Sequence, residues 1–184
     1  MRSPVDLLRE SQTRLNAALA DYDAPQTSEA AREFHSLRLQ SAIFNFDITY
    51  DIVSNWSNEP TGFAGKVALK SLVLRLYEYE SLSRNDFLPR LLTLANQRCV
   101  EVDMAKIRDL QKQWSPQLKA IRSWSKLRNK AAGHYDRQMK SQLEQLQLID
   151  RGAVMEAAQG FLAYNIQLLR ILQSIGRGNG NTAA

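Results

Sequence analysis

The run Arg128-Asn129-Lys130-Ala131-Ala132-Gly133-His134 concentrates the reactive chemistry of this chain. It sets an arginine beside a polar residue, then a short small-residue stretch, then a histidine. A guanidinium and an imidazole fixed close together can hold a phosphodiester and move a proton. The chain has only two histidines, His35 and His134. His35 falls inside a predicted helix next to Phe34, with no notable partner in sequence, so the acid–base reading falls on His134.

The chemistry such a pair suits is metal-free RNA cleavage. A base removes the ribose 2′-proton, a cation holds the phosphorus oxyanions, and an acid protonates the departing 5′-oxygen. Neutral histidine can be the base, imidazolium the acid, and arginine the planar cation for two phosphate oxygens. DNA lacks the 2′-hydroxyl and would not be cut this way. The plainer alternative is a helix-end histidine capping carbonyls beside a surface arginine. On a straight helix, six residues turn through about 600°, leaving the two side chains roughly 120° apart. A left-handed Gly133 would end the helix and swing His134 back. Alternatively, two copies of the helix would meet across a two-fold axis and build a composite site.

Charge gathers on the same stretch. The net charge is +5, and Lys119, Arg122, Lys126, Arg128, Lys130, Arg137 and Lys140 face only Asp136 between Lys119 and Lys140, a local excess of +6. Such a patch favours phosphate-rich partners; a basic, solvated helix face is the alternative. The single Cys99 allows no internal disulfide, in keeping with a reducing cytoplasm. A lone thiol and two distant histidines make no metal-ligand cluster, so no metal and no cofactor are expected. There is no apolar stretch long enough to span a bilayer. Met1-Arg2-Ser3-Pro4-Val5-Asp6 lacks the apolar core of a signal peptide.

Helices must position these residues. Ser3-Pro4 starts one, with Val5, Leu8, Leu15, Leu19 and Tyr22 at helical spacing to about Asp21. Thr27 or Ser28 caps a second to about Ser54, its core face Phe34, Leu37, Phe44, Ile48 and Ile52. Asn55 to Gly62 reads as a loop. A third runs from about Phe63 to Ser81 through Val67, Leu69, Leu72, Val73, Leu76 and Tyr79 and is central. Asn85 or Asp86 caps a short leucine-rich helix, Asp103 another, and Ser115-Pro116 restarts the chain through Leu118, Ile121, Trp124, Leu127 and Ala131 to Gly133. Asp150 caps a last helix, which Gly176 stops. The sum is a single all-α domain over residues 1–176, an up-and-down helical bundle of four to five main helices, with a disordered tail at 177–184.

The run Trp124-Ser125-Lys126-Leu127-Arg128-Asn129-Lys130-Ala131-Ala132-Gly133-His134-Tyr135-Asp136 resembles the signature of the HEPN superfamily, most closely its abortive-infection-linked branch. Ala68 to Tyr77 resembles that branch's second core helix, and the leucine-rich helix at Phe87 to Ala95 follows in the same order. The resemblance covers roughly residues 30–175. It implies a helical bundle that dimerises with its arginine–histidine motifs facing each other. It also implies a metal-independent endoribonuclease of a toxin–antitoxin or phage-defence system, or a non-catalytic relative that binds RNA, nucleotide or a partner protein. Carried over, Arg128 and His134 are the catalytic pair and Asn129 their polar supporter. Lys126, Lys130, Tyr135, Arg137 and Arg122 would bind RNA. An antitoxin or a nucleotidyltransferase is the implied partner. In one toxin branch that enzyme modifies a tyrosine two places after the histidine; here that place holds Asp136, and Tyr135 comes first.

Overall fold

The computed structural model describes residues 3–132 and 139–177. The described residues form helices with no strand. They are α1 (Pro4–Asp23), α2 (Glu29–Asn58), α3 (Gly62–Ala68), α4 (Lys70–Leu82), α5 (Leu88–Gln97), α6 (Met104–Gln113), α7 (Ser115–Ser123), α8 (Ser125–Leu127), α9 (Met139–Gln147) and α10 (Arg151–Arg177). Two π-helical turns, Ser83–Phe87 and Arg128–Ala132, continue the helices before them. With α3–α5 and α6–α8 each read as one interrupted rod, five rods and the short α9 make the all-α bundle expected from the sequence. Among the described residues no helix is long and apolar enough to cross a membrane.

Side-chain caps fix several starts where the sequence placed them. Ser3 accepts from the Asp6 amide, Ser28 from Ala31, Asp103 from Ala105, and Asp150 from Ala153 at 2.7 Å. Each satisfies an amide that the first turn leaves without an intrahelical partner. α2 outruns its expected end, reaching Asn58 before Glu59 turns left-handed at φ 36°. Neither Asn85 nor Asp86 caps a helix. The chain stays helical there by widening into the π turn, and Asp86 instead pairs with Arg90 at 2.9 Å. Ser115 makes no capping bond either. The Trp114 amide donates to Leu110 and the Leu118 amide to Trp114, so α6 and α7 are nearly continuous. Gly176 does not stop α10. It lies inside the helix, where a Cβ would stand 2.3 Å from Cε2 of Phe34. Its role is the close approach of α10 to α2, not a left-handed exit.

The core sits between α2, α4, α5, α7 and α10. Leu37, Ile48, Leu72, Leu76, Phe87, Leu91, Ile121, Phe161 and Leu168 are fully buried, each worth roughly 1.5–3 kcal/mol over exposure. Phe44 stacks on Tyr79 at 3.7 Å and 7°, with Phe161 edge-on to Phe44 at 5.3 Å. Polar contacts set the register. Asn165 of α10 donates to Ser41 and Asn45 of α2, each at 2.9 Å. Arg90 of α5 grips Glu33 and Ser36 of α2. The N-terminal stripe departs from expectation: Val5, Leu19 and Tyr22 are exposed, and Ala18 is the buried residue of α1. α1 lies on α2 through a small residue and leaves its larger apolar side chains uncovered. Val67 is likewise exposed, because the rod turns at Leu69.

Candidate functional site

Arg128 stands where a buried ridge ends. Leu118, Ile121 and Leu127 anchor α7 and α8 in the core. The chain turns at Trp124, restarts at Ser125, and the Arg128 amide donates to the Trp124 carbonyl at 2.7 Å. From Arg128 the backbone widens into the π turn Arg128–Ala132. A π turn advances less per residue than an α-helix, so side-chain directions counted at 3.6 residues per turn no longer hold beyond Arg128.

The guanidinium is held from two sides. Arg128 Nε donates to Oε1 of Glu78 on α4 at 2.6 Å, and Nη2 closes on the same oxygen. Nη1 donates to Oδ1 of Asn129 at 2.9 Å. Asn129 therefore does touch the arginine it was expected to support. The pair stays open to solvent, with Arg128 35% and Glu78 49% exposed.

Arg122 meets a second carboxylate of the same helix. Its Nε donates to Oε1 of Glu80 at 2.6 Å; Glu80 is only 4% exposed, and Arg84 approaches it at 3.7 Å. Glu78 and Glu80 thus offset two arginines of the basic stretch, and the local charge is less positive than the sequence count. Nearby, burial pushes the Tyr164 phenol above its ordinary pKa, with hydrogen bonds from Gln111 and Ser83 opposing it. Lys126 and Lys130 are exposed on either side of Arg128. His134, Tyr135 and Arg137 lie outside the described residues, so the expected cleft joining them to Arg128 has only its Arg128, Asn129, Lys126 and Lys130 part described.

Sequence spacing alone did not point to Glu78, which lies fifty residues before Arg128 and meets it only through the packing of α4 against the π turn. Glu78 also borders a groove of ≈ 360 Å³ between α2 and α4, with Gln40, Ile43, Asp47, Arg75 and Leu82. Arg75 is held there by Asp47 at 2.9 Å and Asp51 at 3.4 Å. The only sequence signal for this second arginine is its i, i+3 relation to Glu78 on one helix. His35 takes no part: its ring meets Phe34 edge-on at 5.1 Å, and its buried Nδ1 has no hydrogen-bond partner among the described residues.

This arrangement can bind an anion. A guanidinium has five N–H donors, so an arginine bonded to Glu78 and Asn129 still has donors for phosphate oxygens. No family model matches the chain, and no curated protein or solved structure is significantly similar to it.

Proposed function

We propose that this chain is a metal-independent endoribonuclease of the HEPN kind, acting in a toxin–antitoxin or phage-defence system in the cytoplasm. The observation that carries the reading is Arg128, fixed by Glu78 and Asn129 yet open to solvent, six residues before the chain's one acid–base candidate of the motif, His134. Arg128 would hold the non-bridging phosphate oxygens as charge builds on phosphorus. His134 would take the 2′-proton or supply a proton to the 5′-oxygen. Lys126 and Lys130, with Tyr135 and Arg137, would guide the RNA backbone. Two copies would bring two motifs together across a homodimer axis, supplying the second proton-transfer group.

The test is cleavage of single-stranded RNA by protein purified free of partners, with a chelator present. Arg128→Ala and His134→Ala are each expected to lower the rate by about 10²- to 10⁴-fold without unfolding the bundle. The carboxylate against Arg128 favours a second reading, a non-catalytic module that binds RNA, nucleotide or protein, because it weakens the cation that catalysis needs. Salt-sensitive RNA binding by a parent that cuts nothing across a broad RNA panel would establish that reading instead.

A further inference from the structure

A larger cavity, ≈ 660 Å³, lies on the α1 side of α2, between α1, α2 and α10. Its α2 lining, Arg38, Ala42, Asn45, Thr49, Ile52 and Trp56, is about 180° around the helix from the Gln40, Ile43 and Asp47 face near Glu78. It is thus separate from the Arg128 site and stands independently of it.

Three helices present i, i+3, i+4 stripes to this cleft, yet among the described residues no side chain fills it. Leu7, Trp56 and Ile166 remain 43%, 51% and 37% exposed along its length. An apolar cavity of this size with a few convergent polar groups is the usual form of a small-molecule site. The α10 lining runs from Gln159 to Gln173, about 21 Å at the helical rise.

The lining is polarised end to end. α10 runs antiparallel to α2, since Arg151 reaches the Asn55 carbonyl while Gly176 meets Phe34. α1 also runs antiparallel to α2, with Asp21 paired to Arg38. Ile52, Val53 and Trp56 therefore lie at one end with Leu7, and Leu162 and Ile166 lie along the middle. Arg38 and Arg170 share the other end. Among the described residues, the one carboxylate in the lining, Glu10, pairs with Arg14. The Glu10–Arg14 pair is solvent-exposed and the Asp21–Arg38 pair partly so, with Arg38 30% exposed; ion pairs this open to water contribute about 0–1 kcal/mol and cost little to rearrange.

We propose that this cleft binds a long-chain carboxylate, with its alkyl chain along Ile166, Leu162 and Ile52 and its head group between Arg38 and Arg170. The dimensions agree. One acyl chain spans half of a bilayer's hydrocarbon core, about 15 Å, which leaves room for a head group within about 21 Å of cleft.

The experiment is equilibrium binding of labelled palmitate to the full chain, with octanoate and hexadecanol as competitors. Saturable binding of one palmitate per chain is expected. Octanoate, about eight CH₂ groups shorter, should bind at least 100-fold more weakly, since each buried CH₂ is worth roughly fourfold. Hexadecanol should bind about tenfold more weakly than palmitate for want of the charge. The double variant Arg38→Gln, Arg170→Gln should weaken palmitate about tenfold and leave hexadecanol unchanged. Ile166→Glu, at a half-exposed position that the fold tolerates, should weaken both. Circular dichroism matching the parent confirms that each variant folds. The proposal is overturned if palmitate does not saturate, or if both variants bind it like the parent. It is equally overturned if the parent is a dimer that Ile166→Glu dissociates, since the cleft would then belong to a second copy of the chain.

Discussion

Removing the carboxylate of Glu78 separates orientation from charge at the candidate site. The Glu78–Arg128 pair is partly exposed on both sides, and such pairs contribute about 0.2–1 kcal/mol. Glu78→Ala should therefore lower Tm by less than about 4 °C in a chain of this size. Two opposite effects act on the RNA. A phosphate across the guanidinium stands roughly 7 Å from the lost charge, and relief of that repulsion is worth about 0.6 kcal/mol in water, roughly a threefold gain in affinity. Against this, Arg128 loses the acceptor that fixes Nε and Nη2. A misplacement of about 1 Å in a charge-stabilising group costs on the order of 10²-fold. Glu78→Ala should thus cut RNA with KM lowered about threefold and kcat lowered about 10- to 100-fold. Glu78→Gln keeps an oxygen acceptor for Nε and should retain most of kcat. Single-turnover and steady-state cleavage of one fluorescent RNA reads both parameters. An unchanged kcat in Glu78→Ala would show that the carboxylate does not position Arg128. A fall in Tm well beyond 4 °C would make Glu78 a structural anchor instead.

Other expectations follow from the same geometry. Gly176→Ala places a Cβ against the Phe34 ring, and overpacking of about 1–3 kcal/mol should exceed the helix-propensity gain of about 1 kcal/mol, so thermal melting should fall rather than rise. Arg122→Met leaves the buried Glu80 with only Arg84 at 3.7 Å among its described cationic partners; urea unfolding should show a loss of about 1–3 kcal/mol, and no loss would mean that the pair is unimportant. Burial raises the Asp51 carboxyl above its ordinary pKa, with Arg75 opposing it. A raised acid stabilises the fold below the unfolded carboxylate range and loses that contribution as pH rises through its folded value. The stability of Asp51→Asn relative to the parent should therefore increase from about pH 4 to about pH 7; a flat difference would refute the burial argument. If Arg128 of one protomer works with His134 of the other, mixing the inactive Arg128→Ala and His134→Ala proteins should restore about a quarter of parental cleavage, because half the dimers then hold one intact site. No restoration places both groups on one chain.

The parts legible in the sequence were those written in local chemistry. Ser3, Ser28, Asp103 and Asp150 cap because one side-chain oxygen reaches an amide two or three residues on, a contact visible in the order of residues. Leu37, Phe44, Ile48 and Ile52 are buried because one α2 stripe faces α4 and α10. The misread places depend on other elements. A π turn has no composition of its own, so Ser83–Phe87 looked like a helix start at Asn85 or Asp86. Gly176 looked like a stop because the Phe34 ring that requires it lies on α2. α9, between Gly133 and Asp150, has no counterpart among the helices read from the sequence. At the site, the Arg128–Asn129 contact is between adjacent residues, whereas the resemblance gives Asn129 only the role of a polar supporter. The Glu78 contact spans fifty residues, and sequence spacing alone does not point to it.

The most direct test of RNA cleavage by 2′-hydroxyl attack is the chemistry of the new ends. The parent protein is incubated in a chelator with a defined single-stranded RNA and with the same RNA carrying one 2′-deoxyribose at the cut site, and the products are read by mass spectrometry. The expected result is 2′,3′-cyclic phosphate ends from the first RNA, no cut at the deoxy position in the second, and no cleavage of the first RNA by His134→Ala. Products ending in a 3′-hydroxyl, or equal cutting of the two RNAs, would contradict it.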